Sequence, residues 1–248
     1  MIKYSERDFS KLYRSIMTEN RYIFSAEILE IIKKINDFFV NRVEVVPVGS
    51  IMYRAQKGVA GFDDLPIPYG RDRMLPLDHK AREGRANPKG IPYIYLSNKE
   101  YIAISEVRSW NGDQVSLASF TNKRELRLID FSSDDTPNLV INFNISEMVS
   151  DNSIETLWGD INQSFSRPVT SNDDAAEYAL TQMIAECVKN SGYDGLFYNS
   201  YFSKDNKEGK NIVIFDKNLL KLHKVTVYEI EGIDVRFNEC TNPHFYKD

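Results

Sequence analysis

Near the start of the chain, apolar residues recur every three or four positions. The first set is Phe9, Leu12, Tyr13 and Ile16; the second is Ile28, Ile31, Ile32, Ile35, Phe38 and Phe39. That spacing predicts two amphipathic helices within the first 45 residues. Ser25 stands where the second helix needs an N-cap, and Glu27 follows in its first turn, where negative charge suits the helix dipole. From Val43 the period shortens. Val43 to Val48 and Ile51 to Ala55 read as extended chain. Residues 56–92 mix proline, glycine and charge, a composition that predicts a long functional or mobile loop. Ile91 to Leu96 returns to strand-like residues. Asn98 then caps a helix expected over about 99–110, carrying Ile102, Ala103, Ile104 and Val107.

Residues 113–120 and 124–131 read as strands. Between 132 and 170 the chain is polar, with short helical turns expected at 145–148 and 154–161. Ser171-Asn172-Asp173-Asp174 has the form of a capping box. It opens a helix with Tyr178, Gln182, Ala185 and Val188 on one face, ended by Asn190-Ser191-Gly192. Gly195 to Ser200 and Asn211 to Phe215 look like buried strands. Residues 222–237 alternate as a further strand, which offers an edge for self-association. Strands and helices do not alternate as βαβ units, so the pattern predicts an α+β fold with a mixed or antiparallel sheet. A helical N-terminal extension, 1–42, would precede a main domain, 43–248.

Composition narrows the function classes. The chain has 248 residues, 42% hydrophobic and 27% charged, enough apolar material for a sizeable core. No apolar run approaches the roughly 20 residues of a membrane span, and the N-terminus has no signal-peptide core, so a soluble, cytoplasmic protein is expected. The net charge of −5 gives no footprint for direct nucleic-acid binding. Cys187 and Cys240 are too few for a disulfide framework or a four-thiolate zinc site. The three histidines are scattered, no metal-ligand spacing is present, and neither dinucleotide-fold nor P-loop glycine motifs occur.

The remaining candidate chemistry is arginine, tyrosine and one helical glutamate. Gly84-Arg85-Ala86-Asn87-Pro88 puts a guanidinium on a glycine-flanked turn before Tyr93-Ile94-Tyr95-Leu96, and Arg54 stands in a second strand. A guanidinium fork suits a diphosphate. The alternative is that each arginine pairs with an acidic surface neighbour. Glu106 follows Ile102 by four positions and so shares an apolar helix face. A carboxylate buried there must be paired, protonated or functional. The alternative is a helix-edge glutamate paired with Arg108, Lys99 or a neighbouring element. Ser200 ends a strand, where turn chemistry is the ordinary reading. Thr181 and Gln182 put polar groups on an otherwise apolar helix, as structural hydrogen bonds or as a site wall.

The order of these motifs resembles the RES domain family, named for an arginine, a glutamate and a serine. The matching pieces are Tyr53-Arg54-Ala55, Gly84-Arg85-Ala86-Asn87-Pro88 with Tyr93-Ile94-Tyr95-Leu96, and Ala103-Ile104-Ser105-Glu106-Val107. Further on come Tyr178 to Gln182, Gly192 to Ser200, and Asn211 to Phe215, so that the resemblance spans about 45–216. It implies an ADP-ribosyltransferase-like split mixed sheet flanked by helices. It also implies a bacterial toxin that degrades NAD+ by phosphorolysis or hydrolysis of the nicotinamide–ribose bond. An Xre-like antitoxin protein would block the cleft. Carried over by position, Glu106 would be the catalytic carboxylate, with Arg54 and Ser200 beside it. Arg54 and Arg85 would hold the diphosphate, and Tyr95 would stack on nicotinamide or ribose. Tyr93, Asn87 and Thr181 would complete the substrate-binding group, with Thr181 an alternative to Ser200 as the third polar residue. NAD+ would be a substrate rather than a cofactor, with inorganic phosphate as co-substrate and no metal. The competing readings are macromolecular ADP-ribosylation in the same cleft, or a non-catalytic binding module.

Overall fold

A computed structural model describes residues 7–78, 80–132, 153–167, 175–203 and 209–234. The expected 145–148 turn and the capping box at 171–174 lie outside these residues. Both N-terminal helices form: α1, Asp8–Arg14, and α2, Ala26–Phe38. The Ser25 hydroxyl caps α2 by accepting from the Ile28 amide at 3.4 Å. Ile28, Ile31 and Ile35 are the buried stripe of α2.

The strands follow as β1 (Val43–Val46), β2 (Ile51–Lys57), β3 (Gly61–Asp63), β4 (Leu65–Ile67), β5 (Ile94–Ser97), β6 (Gln114–Asn122), β7 (Leu126–Asp130), β8 (Gly195–Asn199), β9 (Lys210–Ile214) and β10 (Leu220–Glu229). The helices between them are α3 (Arg71–Met74), α4 (Glu100–Glu106), α5 (Ile154–Ser166) and α6 (Ala179–Asn190). Eight strands make one mixed sheet in the order β1-β7-β8-β9-β5-β2-β6-β10, and β3 and β4 pair as a separate hairpin. Every ladder of the large sheet is antiparallel except β7–β8. The fold is therefore α+β with a mixed sheet flanked by helices, as expected.

The sheet is not uniform. β2 pairs with β6 over seven positions but meets β5 only at Tyr53↔Ser97. It thus splits into β1-β7-β8-β9-β5 and β2-β6-β10, joined at one register pair. β strands that diverge leave backbone groups without ladder partners, and those groups must be satisfied in other ways.

One face of the sheet carries the larger core. Phe131 stacks on Trp158 at 4.6 Å between ring centroids and on Phe165 at 4.9 Å. Leu12, Ile16, Ile28, Ile31, Ile35 and Phe39 belong to the same cluster as α5 and α6 side chains. The helices expected as an N-terminal extension are thus built into this core. The other face packs Met52, Ile94, Leu96, Phe120 and Phe197 with Met74 of α3. Gly195 opens β8 where a Cβ would lie 2.0 Å from the Val213 carbonyl, so only glycine lets β8 and β9 approach this closely.

Three local expectations are corrected. The 56–92 stretch is not one loop, since it contains β3, β4 and α3. The helix expected over 99–110 stops at Glu106, because Arg108 turns into the left-handed region at φ +49°. Asn98 does not cap it. Its Oδ1 instead accepts from the Lys210 amide at 2.8 Å, tying the end of β5 to β9.

Candidate active site

The opening between β5 and β2 is the floor of a cavity of about 480 Å3 roofed by α4. Tyr53, Arg54 and Ala55 line it from β2, Tyr95 and Ser97 from β5, and Ala103, Glu106 and Val107 from α4. A second lobe of about 230 Å3 is lined by Arg85, Tyr178, Tyr201 and Phe202 among others. Glu106, Tyr198 and Asn211 border both lobes.

Glu106 does not lie buried on the apolar face, as its spacing from Ile102 had implied. It is the last residue of α4, and the early end of the helix leaves it exposed at the rim while Ile102 and Ala103 are buried. A carboxylate at a helix C-terminus faces the negative end of the dipole. Two donors offset this. Ser200 Oγ donates to Glu106 Oε1 at 2.7 Å, and Asn211 Nδ2 donates to the same oxygen at 2.6 Å. Oε2 makes no hydrogen bond among the described residues, and Glu106 forms no ion pair with Arg108 or Lys99. The Ser200 hydroxyl also accepts from the Phe202 amide at 3.2 Å, so turn chemistry and a site contact coexist on one atom.

Arg54 reaches across the split and donates Nη1 to the Tyr95 carbonyl at 3.2 Å, while its Nε is buried without a partner. No carboxylate pairs with it among the described residues. Burial lowers its pKa to about 10, which leaves it charged at neutral pH. A half-buried cation with an unused, buried donor on a cavity wall is a place for an anion.

Arg85 is differently placed. It donates Nη1 to the Phe165 carbonyl and Nη2 to the Arg167 carbonyl at 2.6 Å, and lies 5.6 Å from the Tyr198 ring centroid. It therefore caps the C-terminal carbonyls of α5, a favourable position for a cation. The guanidinium still borders the second lobe.

Tyr95 forms part of the first lobe's wall. Its hydroxyl donates to Asn87 Oδ1 at 2.7 Å and accepts from the Ala86 amide at 2.9 Å. Burial pushes the phenols of Tyr95 and Tyr198 far above their ordinary range. Asn87 does not line either lobe. Its Nδ2 donates to the carbonyls of Arg82, Pro88 and Ile91 at 2.9–3.1 Å, so it organises the loop that carries Arg85. Thr181 Oγ1 donates to the Arg85 carbonyl at 2.5 Å from beneath, and Gln182 Nε2 donates to the carbonyls of Gly84 and Asn87. Tyr93 lies in the core against Phe215, 4.8 Å between ring centroids. Arg54, Tyr95, Glu106 and Ser200 thus converge, Arg85 stands at the adjoining lobe, Asn87 and Thr181 support its loop, and Tyr93 is apart.

Sequence reasoning missed Asn211 and Tyr198. Both read as members of apolar strands. A polar residue opening the buried run Asn211-Ile212-Val213-Ile214 was the available signal.

Among the described residues, no group of three histidine, cysteine, aspartate or glutamate side chains could hold a metal ion. No helix there is long and apolar enough to cross a membrane.

Comparison with known proteins adds one firm result. A family model described as the RES domain matches residues 66–238, which includes Arg85, Asn87, Tyr93, Tyr95, Glu106, Thr181 and Ser200 but begins after Arg54. The chain is also similar to a solved structure titled as the M. tuberculosis MbcT-MbcA toxin-antitoxin complex. Identity is 13%, the TM-score 0.44, and the match covers 79% of this chain and 93% of that one. No curated protein sequence matches. Since the family model spans well over half of its length, the chain belongs to the RES domain family.

Proposed function

We propose that the protein cleaves the nicotinamide–ribose bond of NAD+ and acts as a growth-inhibiting toxin restrained in the cytoplasm by an antitoxin. The observation that carries the reading is Glu106. Its carboxylate stands at the junction of two lobes, one oxygen held by Ser200 and Asn211 and the other unengaged, with the unpaired Arg54 on the wall of one lobe.

In this reading the diphosphate of NAD+ is held by Arg54, with Arg85 at the neighbouring lobe, and Tyr95 packs on the nicotinamide ribose. The C–N bond breaks with its electron pair leaving on nicotinamide, whose ring nitrogen was cationic and departs neutral. Positive charge develops at the ribose anomeric carbon and ring oxygen, as in glycoside hydrolysis. Glu106 supports that charge. A fixed ionic group of this kind contributes about 3–4 kcal/mol, or a factor on the order of 100–1,000 in rate. The anomeric carbon then bonds to an oxygen of inorganic phosphate, giving ADP-ribose-1″-phosphate. If water attacks instead, its proton passes to Glu106 or solvent, giving ADP-ribose.

Proton NMR of the protein with NAD+, with and without phosphate, tests the reading. Nicotinamide release that requires phosphate supports phosphorolysis, and release without it supports hydrolysis. Label from NAD+ appearing on protein or nucleic acid, with no free ADP-ribose product, would replace this proposal with macromolecular ADP-ribosylation.

A further inference from the structure

Four strands bring their polar side chains into one row beneath Glu106. Tyr198 of β8 is in register with Asn211 of β9, Asn211 with Ser97 of β5, and Ser97 with Tyr53 of β2. Residues paired in register project from the same face of a sheet. The row crosses the sheet at the one position where its two halves still meet, which makes it the rim of the opening.

Asn211 is the central member. It is buried, yet it borders both lobes of the cavity. An asparagine side chain presents a donor on one side and an acceptor on the other, and beside a carboxylate only the donor is tolerable. Here the choice is made from behind. Ser97 Oγ, itself buried, donates to Asn211 Oδ1 at 3.0 Å, which turns Nδ2 toward Glu106 Oε1 at 2.6 Å. Tyr198 stands beside the same side chain on the other neighbouring strand. Glu106 terminates a helix of only seven residues and is exposed, so α4 alone does not hold its side chain in one rotamer.

We infer that the relay Ser97–Asn211 aims the Glu106 carboxylate, making Asn211 a positioning residue that keeps Oε1 engaged and Oε2 turned to the reacting carbon. This rests on the NAD+ reading above. Substrate binding falls to other groups, so loss of the relay lowers kcat and spares KM.

The test is steady-state nicotinamide release from NAD+ by wild type, Glu106→Gln, Asn211→Asp, Ser97→Ala and Ser97→Thr. Asn211→Asp keeps shape but sets an acceptor against the carboxylate. Its kcat is expected to fall on the order of 100-fold with KM changed less than about threefold, since hydrogen bonds to charged groups are among the stronger ones. Ser97→Ala should lose on the order of 10-fold in kcat, and Ser97→Thr, which retains the hydroxyl, should restore most of it. If Asn211→Asp does not fold, as judged by thermal unfolding, the Ser97 pair carries the test. An active wild type and inactive Glu106→Gln, together with near wild-type kcat in Asn211→Asp or in Ser97→Ala, would overturn this inference and leave the NAD+ reading standing. A wild type that releases no nicotinamide would overturn both.

Discussion

Replacing Asn87 by alanine removes the central tie of the loop that carries Arg85. The side chain is buried, donates to three carbonyls and accepts from the Tyr95 hydroxyl at 2.7 Å. Two amide hydrogens serve three acceptors, so one of those bonds is shared. Each net hydrogen bond is worth about 1 kcal/mol, and a buried group left unpaired costs about 1–3 kcal/mol. Some of the exposed carbonyls will find water, so the sum expected is about 3–5 kcal/mol. Against a typical stability of roughly 5–15 kcal/mol this is a large fraction, and it corresponds to a fall in Tm on the order of 10 °C for a chain of this length. Urea unfolding followed by the fluorescence of buried Trp158 reads the change as a shift in midpoint at constant slope. A loss below about 1 kcal/mol, accompanied by a raised KM for NAD+, would refute the reasoning. It would mean that the amide serves the ligand rather than the loop.

Other predictions concern packing and pH. Gly195→Ala puts a methyl group 2.0 Å from a backbone oxygen that β9 cannot move without breaking its ladder. The expected cost is about 3 kcal/mol or more, read as a lowered urea midpoint. Alkaline titration should unfold the protein. Burial raises Tyr93 to about 12 and lifts Tyr95 and Tyr198 further, above the unfolded value of 10. Their stabilisation is complete below about pH 10 and is lost as pH rises through the folded values, at roughly 1.4 kcal/mol per phenol per pH unit. The exposed tyrosines ionise first, near pH 10, and the remaining phenolate absorbance should rise together with loss of far-ultraviolet circular dichroism. Ionisation of every tyrosine near pH 10 in a fully folded protein, the exposed Tyr22, Tyr101 and Tyr201 and the buried three alike, would contradict the burial of these residues.

The helices were legible where one face is apolar. Ile28, Ile31 and Ile35 declared α2, and Ser25 its cap, because an amphipathic period is a local property. The split sheet was legible only through family resemblance, since strand order is set by contacts distant in sequence. α4 shows the limit from the other side. Its apolar spacing ran on to Val107, but the left-handed turn at Arg108 ended it, and this moved Glu106 from a buried face to an exposed rim. The convergence of Arg54, Tyr95, Glu106 and Ser200 followed from motif identity. The division between Arg54, left unpaired on the cavity wall, and Arg85, turned to cap α5, did not. It depends on where α5 ends. Asn211 was hidden for a related reason. In a strand that otherwise reads as buried and apolar, one polar residue looks structural until its cross-strand neighbours are known.

The most direct measurement is the rate of nicotinamide release at saturating NAD+ for wild type beside Glu106→Gln. The variant keeps the length of the side chain and its place on the Ser200 and Asn211 contacts, but removes the negative charge. If Glu106 supports the developing cation, kcat should drop by a factor on the order of 100–1,000 while Tm stays near that of wild type. An active wild type with a Glu106→Gln rate within a few-fold of it would contradict the role assigned to this carboxylate, and with it the catalytic site built around the split of the sheet.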